Sequence, residues 1–389
     1  MEKIYFADGE EICRYDGGTV TRQRSKFIEN YKRNTLNVER AKSWKHSGEG
    51  ARFRGDEHPG EDAVSFQASI NGIYPTEGEE TVYSFNINGT SGVYKTVIGD
   101  EKSPETHIVS TADGEFYGGC LDAKSNVLVC SLRRNCYNSD LAVFDVKTGE
   151  YKTVTDGDTL DEDPFVSPEN RNEIYFTSRG AGRDRQGNFV RYSNSAICKL
   201  DLAALTVDEI AADDKLNYMK PVFYGGKLYA ITAPSVQKKP NPLVEILLIP
   251  FRIVQAIANF LNFFVTAFTG KSLASGGSNP AKGREYDGRK EYIKGNLIDY
   301  DKELKRNASK KDKDYGFIPA SWKLAEVGSG EIIASGVADY DITSDGTFII
   351  TNGRRVFAVK DGKKTKLCNA ENCLTVACMH QSETPDFSF

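Results

Sequence analysis

Asp163-Pro164-Phe165-Val166-Ser167-Pro168-Glu169-Asn170-Arg171-Asn172-Glu173-Ile174-Tyr175-Phe176-Thr177-Ser178 reads as strand, polar turn, strand. Aromatic and β-branched residues fill the two flanks, and Ser, Pro and Asn fill the middle, where a chain must reverse. A third apolar run follows at Ala196 to Leu202, and a weaker fourth at Val207 to Ile210. Four antiparallel strands within about fifty residues make one blade of a β-propeller.

The unit recurs along the chain. Upstream, Phe116 to Leu121, the turn Lys124-Ser125-Asn126 and Val127 to Ser131 repeat its first half, with Leu141 to Gly149 and Tyr151 to Val154 as the second. Downstream, Lys220 to Tyr224, Gly225-Gly226 and Leu228 to Ile231 open another unit. Tyr340 to Thr343, Phe348 to Ile350 and Val356 to Gly362 supply one more, and Val64 to Ala68 with Thr81 to Phe85 a less regular one. The two ends complement each other. Ile4-Tyr5-Phe6 reads as a second strand with no first, and Leu374 to Cys378 is an orphan strand after the last unit. Unpaired backbone groups are costly, so the C-terminal strand is expected to complete the N-terminal blade. The expected architecture is all-β: a six-bladed β-propeller over residues 1–389, closed in this way and carrying a helical insertion.

The units resemble those of TolB-like six-bladed propellers. The matching residues are Ser167-Pro168-Glu169-Asn170, Ile174 to Ser178 and Leu200-Asp201-Leu202. The resemblance implies a binding platform: an interaction scaffold, or the companion of a separate catalytic domain.

The chain has 389 residues, 27% charged and 39% hydrophobic, with net charge −5. That composition excludes a disordered chain and a polytopic membrane protein, and gives no basic field for nucleic acid. Met1-Glu2-Lys3-Ile4-Tyr5-Phe6 lacks the apolar core of an export signal, so a cytoplasmic protein with reduced thiols is expected.

One segment breaks the repeat. About 120 residues separate the second strand of the fifth unit from that of the sixth, where other spacings run about 45 to 65. The surplus lies at 236–318. Asn241 and Pro242 suit a helix start, Gly270 a stop, and residues 242–269 between them are largely apolar. Glu245, Arg252, Gln255, Asn259, Asn262 and Thr266 form one polar stripe about 100° wide. Leu247, Val254, Ile257, Leu261, Phe264 and Phe268 lie opposite it. Pro250 is expected to kink or divide the helix. A single membrane crossing would strand the polar return segment on the far side, so the helix is expected to lie on a membrane surface, or against a protein partner, a second copy or its own propeller. Residues 236–315 hold fifteen Lys/Arg against nine Asp/Glu, an excess of six, so the remainder of a chain of net −5 carries −11. Most of that basic charge falls in Lys271 to Lys313, much of which is expected to be mobile.

Motifs for chemistry are few. His46, His58, His107 and His380 have no metal-ligand spacing to one another. Cys368, Cys373, Cys378 and His380 are spaced too widely for a zinc knuckle and read as buried thiols near the ring closure. Gly270-Lys271-Ser272 lacks the first glycine of a phosphate loop, and no Gly-x-Ser-x-Gly elbow occurs. Trp44, in the basic loop Arg40 to Lys45, is a candidate partner contact or packing anchor. Asp161, Asp163, Asp339 and Asp341 fall at the starts of innermost strands, where they could line a channel mouth or simply cap turns. The sequence therefore points to a non-enzymatic scaffold with no cofactor and no metal site. It would dock through residues 242–269 on a membrane surface or a protein partner, without nucleic acid. The alternative is a propeller enzyme, or a small-ligand or ion binder using the axial channel.

Overall fold

The computed structural model describes residues 2–42, 68–100, 102–135, 138–235, 290–308 and 314–380. Contacts divide the chain into two compact units, Met1–Pro234 with Tyr300–Phe389, and Ser235–Asp299.

The larger unit is mostly antiparallel sheet. The first sheet has Thr375–Ala377, Ile4–Asp8, Glu11–Asp16 and Thr19–Arg24 in spatial order. The C-terminal strand thus pairs with the N-terminal one, Phe6 opposite Val376. The second comprises Ala68–Pro75, Glu80–Ile87, Thr90–Val97 and Thr106–Thr111. Its first strand begins at Ala68, the last residue of the Val64 to Ala68 run expected from sequence; residues 64–67 are outside the described ones. The third comprises Glu115–Asp122, Val127–Arg133, Ser139–Asp145 and Tyr151–Thr153. A single parallel bridge, Ser139 to Leu160, links it to the fourth: Thr159–Val166, Glu173–Arg183, Ala196–Asp201 and Thr206–Ala211. The fifth has Leu216–Tyr224, Lys227–Pro234, Lys323–Glu326 and Ile332–Ser335, and the sixth Asp339–Ile342, Phe348–Thr351, Gly353–Lys360 and Lys363–Cys373.

Each sheet buries both faces, which is why its strands read as unbroken apolar runs rather than as alternation. In Ile4–Asp8 every residue is buried. Ile4 and Phe6 pack with Ile349 and Val356 of the sixth sheet, while Tyr5 and Ala7 pack with Ile73, Tyr83 and Phe85 of the second. Tyr74 and Val82 meet Phe116, Leu128 and Phe144 of the third, whose Val127, Val129 and Leu141 meet Val166, Ile174 and Phe176 of the fourth. Tyr175 stacks on Phe223 of the fifth at 5.4 Å, and Tyr229 meets Phe348 of the sixth edge-on at 5.0 Å.

Among the described residues of this unit, two helices accompany the sheets. Lys26–Lys42 takes in Arg40 to Lys42, which the sequence reading placed in a loop; Trp44 is outside the described residues. Ser25 caps the helix, its Oγ accepting from Ile28 N at 3.3 Å, and Glu105 accepts from the first amides, Lys26 N and Phe27 N. Tyr300–Ala308 is held by Asn307, whose side-chain amide donates to the carbonyls of Gly316 and Ile318, and by Tyr300 stacking on Phe317 at 4.0 Å. Phe317 in turn lies over Gly353 of the sixth sheet, where a Cβ would sit 2.3 Å from its ring. Residues 300–308 and 314–318, read from sequence as part of the insertion, therefore pack within the larger unit. Within Lys271 to Lys313, Lys290–Ile293 and Asn296–Asp299 pair as a hairpin about Lys294-Gly295, both at positive φ, and the helix follows. The apolar stretch 242–269 lies outside the described residues.

Candidate functional site

The first strands of four consecutive sheets share an irregularity. Register shifts fall between Ile70 and Gly72, Tyr117 and Cys120, Glu162 and Phe165, and Met219 and Val222. At three of these bulges the backbone turns to positive φ: Gly118 at 56° and Gly119 at 120°, Asp163 at 53°, Lys220 at 47°. Bulges re-aim side chains, and non-glycine residues held at positive φ cost roughly 1–3 kcal/mol each.

The re-aimed groups join one sheet to the next. Asn71 Nδ2 donates to Phe116 O at 3.4 Å and Tyr74 OH to Gly118 O at 2.5 Å, linking second sheet to third. Gly118 lies against Asp163; a Cβ there would approach Asp163 Oδ1 to 3.3 Å. Asp163 Oδ2 accepts from the Lys220 backbone N at 3.1 Å, linking fourth to fifth. Lys220 Nζ reaches Asp339 Oδ2 at 2.7 Å, linking fifth to sixth, and donates to Val376 O at 3.2 Å. Asp339 Oδ2 accepts from Val376 N and Asp341 Oδ2 from Cys378 N, at 2.9 and 2.7 Å, which fastens the C-terminal strand of the first sheet. A polar belt therefore runs along the first strands from the second sheet to the C-terminal strand.

Its charges are strongly coupled. Asp339 and Asp341 are almost wholly buried, while Lys220 keeps 18% of its side chain exposed. Burial works against the Lys220 cation, yet Asp339 and Asp341 outweigh it and raise its pKa. His380 Nε2 lies 2.9 Å from both Asp341 oxygens, with Phe165 edge-on to the ring at 5.2 Å. Burial opposes charge on both partners, but the pair attraction wins: His380 is raised and Asp341 lowered. Burial pushes the Cys120 thiol up to about 12, and also holds Cys373 and Cys378 well above the ordinary thiol value.

Of the four aspartates read from sequence, three share this belt: Asp163, Asp339 and Asp341. Alternation explains the last two, which share a face while Tyr340 turns between sheets. Asp161 does not join them. It precedes the fourth-sheet bulge, accepts from Ser178 Oγ at 2.7 Å, and has its pKa raised by burial. Its neighbour Glu162 accepts from Tyr117 OH at 3.0 Å, Arg133 at 2.9 Å and Arg179 at 3.2 Å. Sequence reasoning missed Lys220, whose signal is a cation inside the apolar strand Met219-Lys220-Pro221-Val222. It also set His380 aside, because its partner lies 39 positions away. Leu247, Val254, Ile257, Leu261, Phe264 and Phe268 are outside the described residues.

The His380–Asp341 pair makes stability depend on pH. A raised histidine stabilises below its ordinary value of 6.5, and that gain is lost as pH rises through the folded pKa. A lowered aspartate stabilises above its ordinary 3.8, and that gain is lost as pH falls through its folded pKa. The melting-temperature difference between wild type and His380→Asn is therefore expected to be largest between about pH 4 and 6.5, and to shrink above neutrality. A difference that grows with pH would contradict the pairing.

No family model matches the chain, and neither does any curated protein. Among solved structures it is similar to TolB from Acinetobacter baumannii, at 11% identity and TM-score 0.47, covering 95% of this chain and 64% of that one. It is also similar to a putative TolB from Agrobacterium tumefaciens (14%, TM-score 0.35, 60% and 70%) and to the tricorn protease (10%, TM-score 0.41, 97% and 36%). The chain thus spans less than two thirds of the length of the first of these.

Proposed function

We propose that this chain is a non-enzymatic, cytoplasmic β-propeller scaffold of six blades. Thr375–Ala377 closes the ring, and the apolar residues of 242–269 dock it on an anionic membrane surface, with a protein partner as the alternative occupant. One observation carries the reading. The fifth sheet is complete without the segment: Lys227–Pro234 pairs directly with Lys323–Glu326, Tyr229 opposite Glu326 and Thr232 opposite Lys323. The chain leaves one strand and returns to its hydrogen-bonded neighbour, so this pairing needs no residue from the stretch between. A stretch with Leu247, Val254, Ile257, Leu261, Phe264 and Phe268 on one side then needs a different reason to be apolar. Burying each of these is worth roughly 1.5–3 kcal/mol before ordering costs. No helix of the described residues is long and apolar enough to cross a membrane.

Sedimentation with anionic liposomes tests the reading. Wild type is expected to pellet with them and Ile257→Asp/Phe264→Asp to stay in the supernatant. Equal pelleting removes the membrane version. An oligomer that the double variant turns into a monomer moves the segment to a protein interface. A second reading, a ligand site on the inner strands, is supported by the bulges at Asp163 and Lys220, since such irregularities gather beside functional sites. A stoichiometric bound ion or small molecule in the purified protein would favour it.

A further inference from the structure

We infer that the outer edge of the fourth sheet, strand Thr206–Ala211, receives an extended lysine- or arginine-bearing segment of a partner protein as an added strand. An exposed edge offers a row of unpaired N–H and C=O groups, and proteins normally blunt it with cations, proline, shortness or cover. The other outer strands obey this. Thr19–Arg24 carries Arg22 and Arg24, and Lys363–Cys373 begins with Lys363, Lys364 and Lys366. Tyr151–Thr153 and Ile332–Ser335 have three and four residues. Against Thr106–Thr111 lies the turn at Gly149, where a Cβ would meet Ile108 O at 2.8 Å. Among the described residues nothing covers Thr206–Ala211, and it has no cation or proline; it carries instead the carboxylates of Asp208 and Glu209 and a register shift at Ile210, which make it an acidic edge. Six residues long, it ends its sheet, contains no Lys, Arg or Pro, and exposes five of its six residues. Val207 and Ile210 stand 53% and 45% exposed, beside Leu205 at 81%.

Charge selects the occupant. Asp208 and Glu209 lie on the strand, and Asp213 and Asp214 follow it. A second copy pairing antiparallel about the strand centre would set Asp208 against Glu209, a like-charge opposition that destabilises sheets. A basic strand meets the opposite sign. Val207 pairs with Leu200 and Glu209 with Cys198, so these two side chains share a face. At the Ala211 end, an open cavity of about 710 Å³ is lined by Ser178, Ser193, Glu209, Asp213, Asp214 and Lys215, three carboxylates against one cation. Its carboxylates and hydroxyls suit a long cationic side chain. The incoming strand is thus read as an apolar residue and a Lys or Arg two positions apart, with main-chain bonds supplying affinity and the cavity supplying selection.

Fluorescence anisotropy tests this with a labelled Thr-Val-Thr-Lys-Thr-Val-Thr-Lys peptide and its Glu-for-Lys counterpart. The expected result is saturable binding of the Lys peptide only, weakened by about tenfold or more in Val207→Lys/Ile210→Lys and in Glu209→Lys. All these sites are exposed, and unchanged melting curves confirm folding. Absent or equal binding of the two peptides, or variants that bind as wild type does, would overturn the inference. So would a wild-type dimer that the Val207→Lys/Ile210→Lys variant abolishes, because the edge would then serve a second copy.

Discussion

Asp339→Ala is expected to lower folding stability by about 3–5 kcal/mol, the cost of breaking a buried ion pair by removing one partner. The Asp339 carboxylate holds Lys220 Nζ at 2.7 Å and Val376 N at 2.9 Å, so alanine takes the paired anion from a largely buried cation, which keeps Val376 O, and takes the acceptor from an amide of the C-terminal strand. The double variant Lys220→Met/Asp339→Leu removes the charge problem and is expected to recover most of the loss, because apolar replacements of buried pairs are often near neutral. Chemical denaturation of the wild type, Asp339→Ala, Lys220→Met and the double variant forms the cycle. A coupling energy near zero would mean that the belt carries no energy at this link.

Gly119→Ala should be of comparable severity for a different reason. At φ of 120° the backbone lies where only glycine rests easily, and an added Cβ would come within 2.3 Å of Val129 O on the neighbouring strand. A carbonyl in a sheet ladder cannot step aside as a side chain can. The bulge between Tyr117 and Cys120 has to open, carrying Gly118 away from Asp163. We expect a loss of roughly 3 kcal/mol or more, visible as a lowered denaturation midpoint. Gly9→Ala, at positive φ but with open space around it, serves as the milder control. Equal effects at the two positions would show that conformation alone, and not the close approach, decides the cost.

The repeating strands were legible because sheets covered on both faces need unbroken apolar runs, as in Ile4–Asp8 and Val127–Arg133. The join of chain ends was legible because an orphan strand at one terminus answered a missing strand at the other. The Lys26–Lys42 helix escaped notice because a polar, charged surface helix gives a weak periodic signal, although Ser25 stands at its start as a cap. Bulges leave little trace in sequence, since one extra residue shifts alternation without breaking it. That is why Asp161 and Asp163 looked equivalent, although only Asp163 reaches the belt. His380 could not be paired with Asp341 by inspection, because the sheets alone bring them together.

Amide hydrogen exchange at Val376 and Cys378 tests the central claim, that carboxylates of the sixth sheet lock the C-terminal strand against the first. Both amides donate to buried carboxylates, Asp339 and Asp341. They are predicted to exchange only through global unfolding, with the same free energy as the amides of Ile349 and Ile350, and to lose that protection together in Asp339→Ala/Asp341→Ala. Exchange in the wild type at the rate of an unstructured peptide, while Ile349 and Ile350 stay protected, would contradict it.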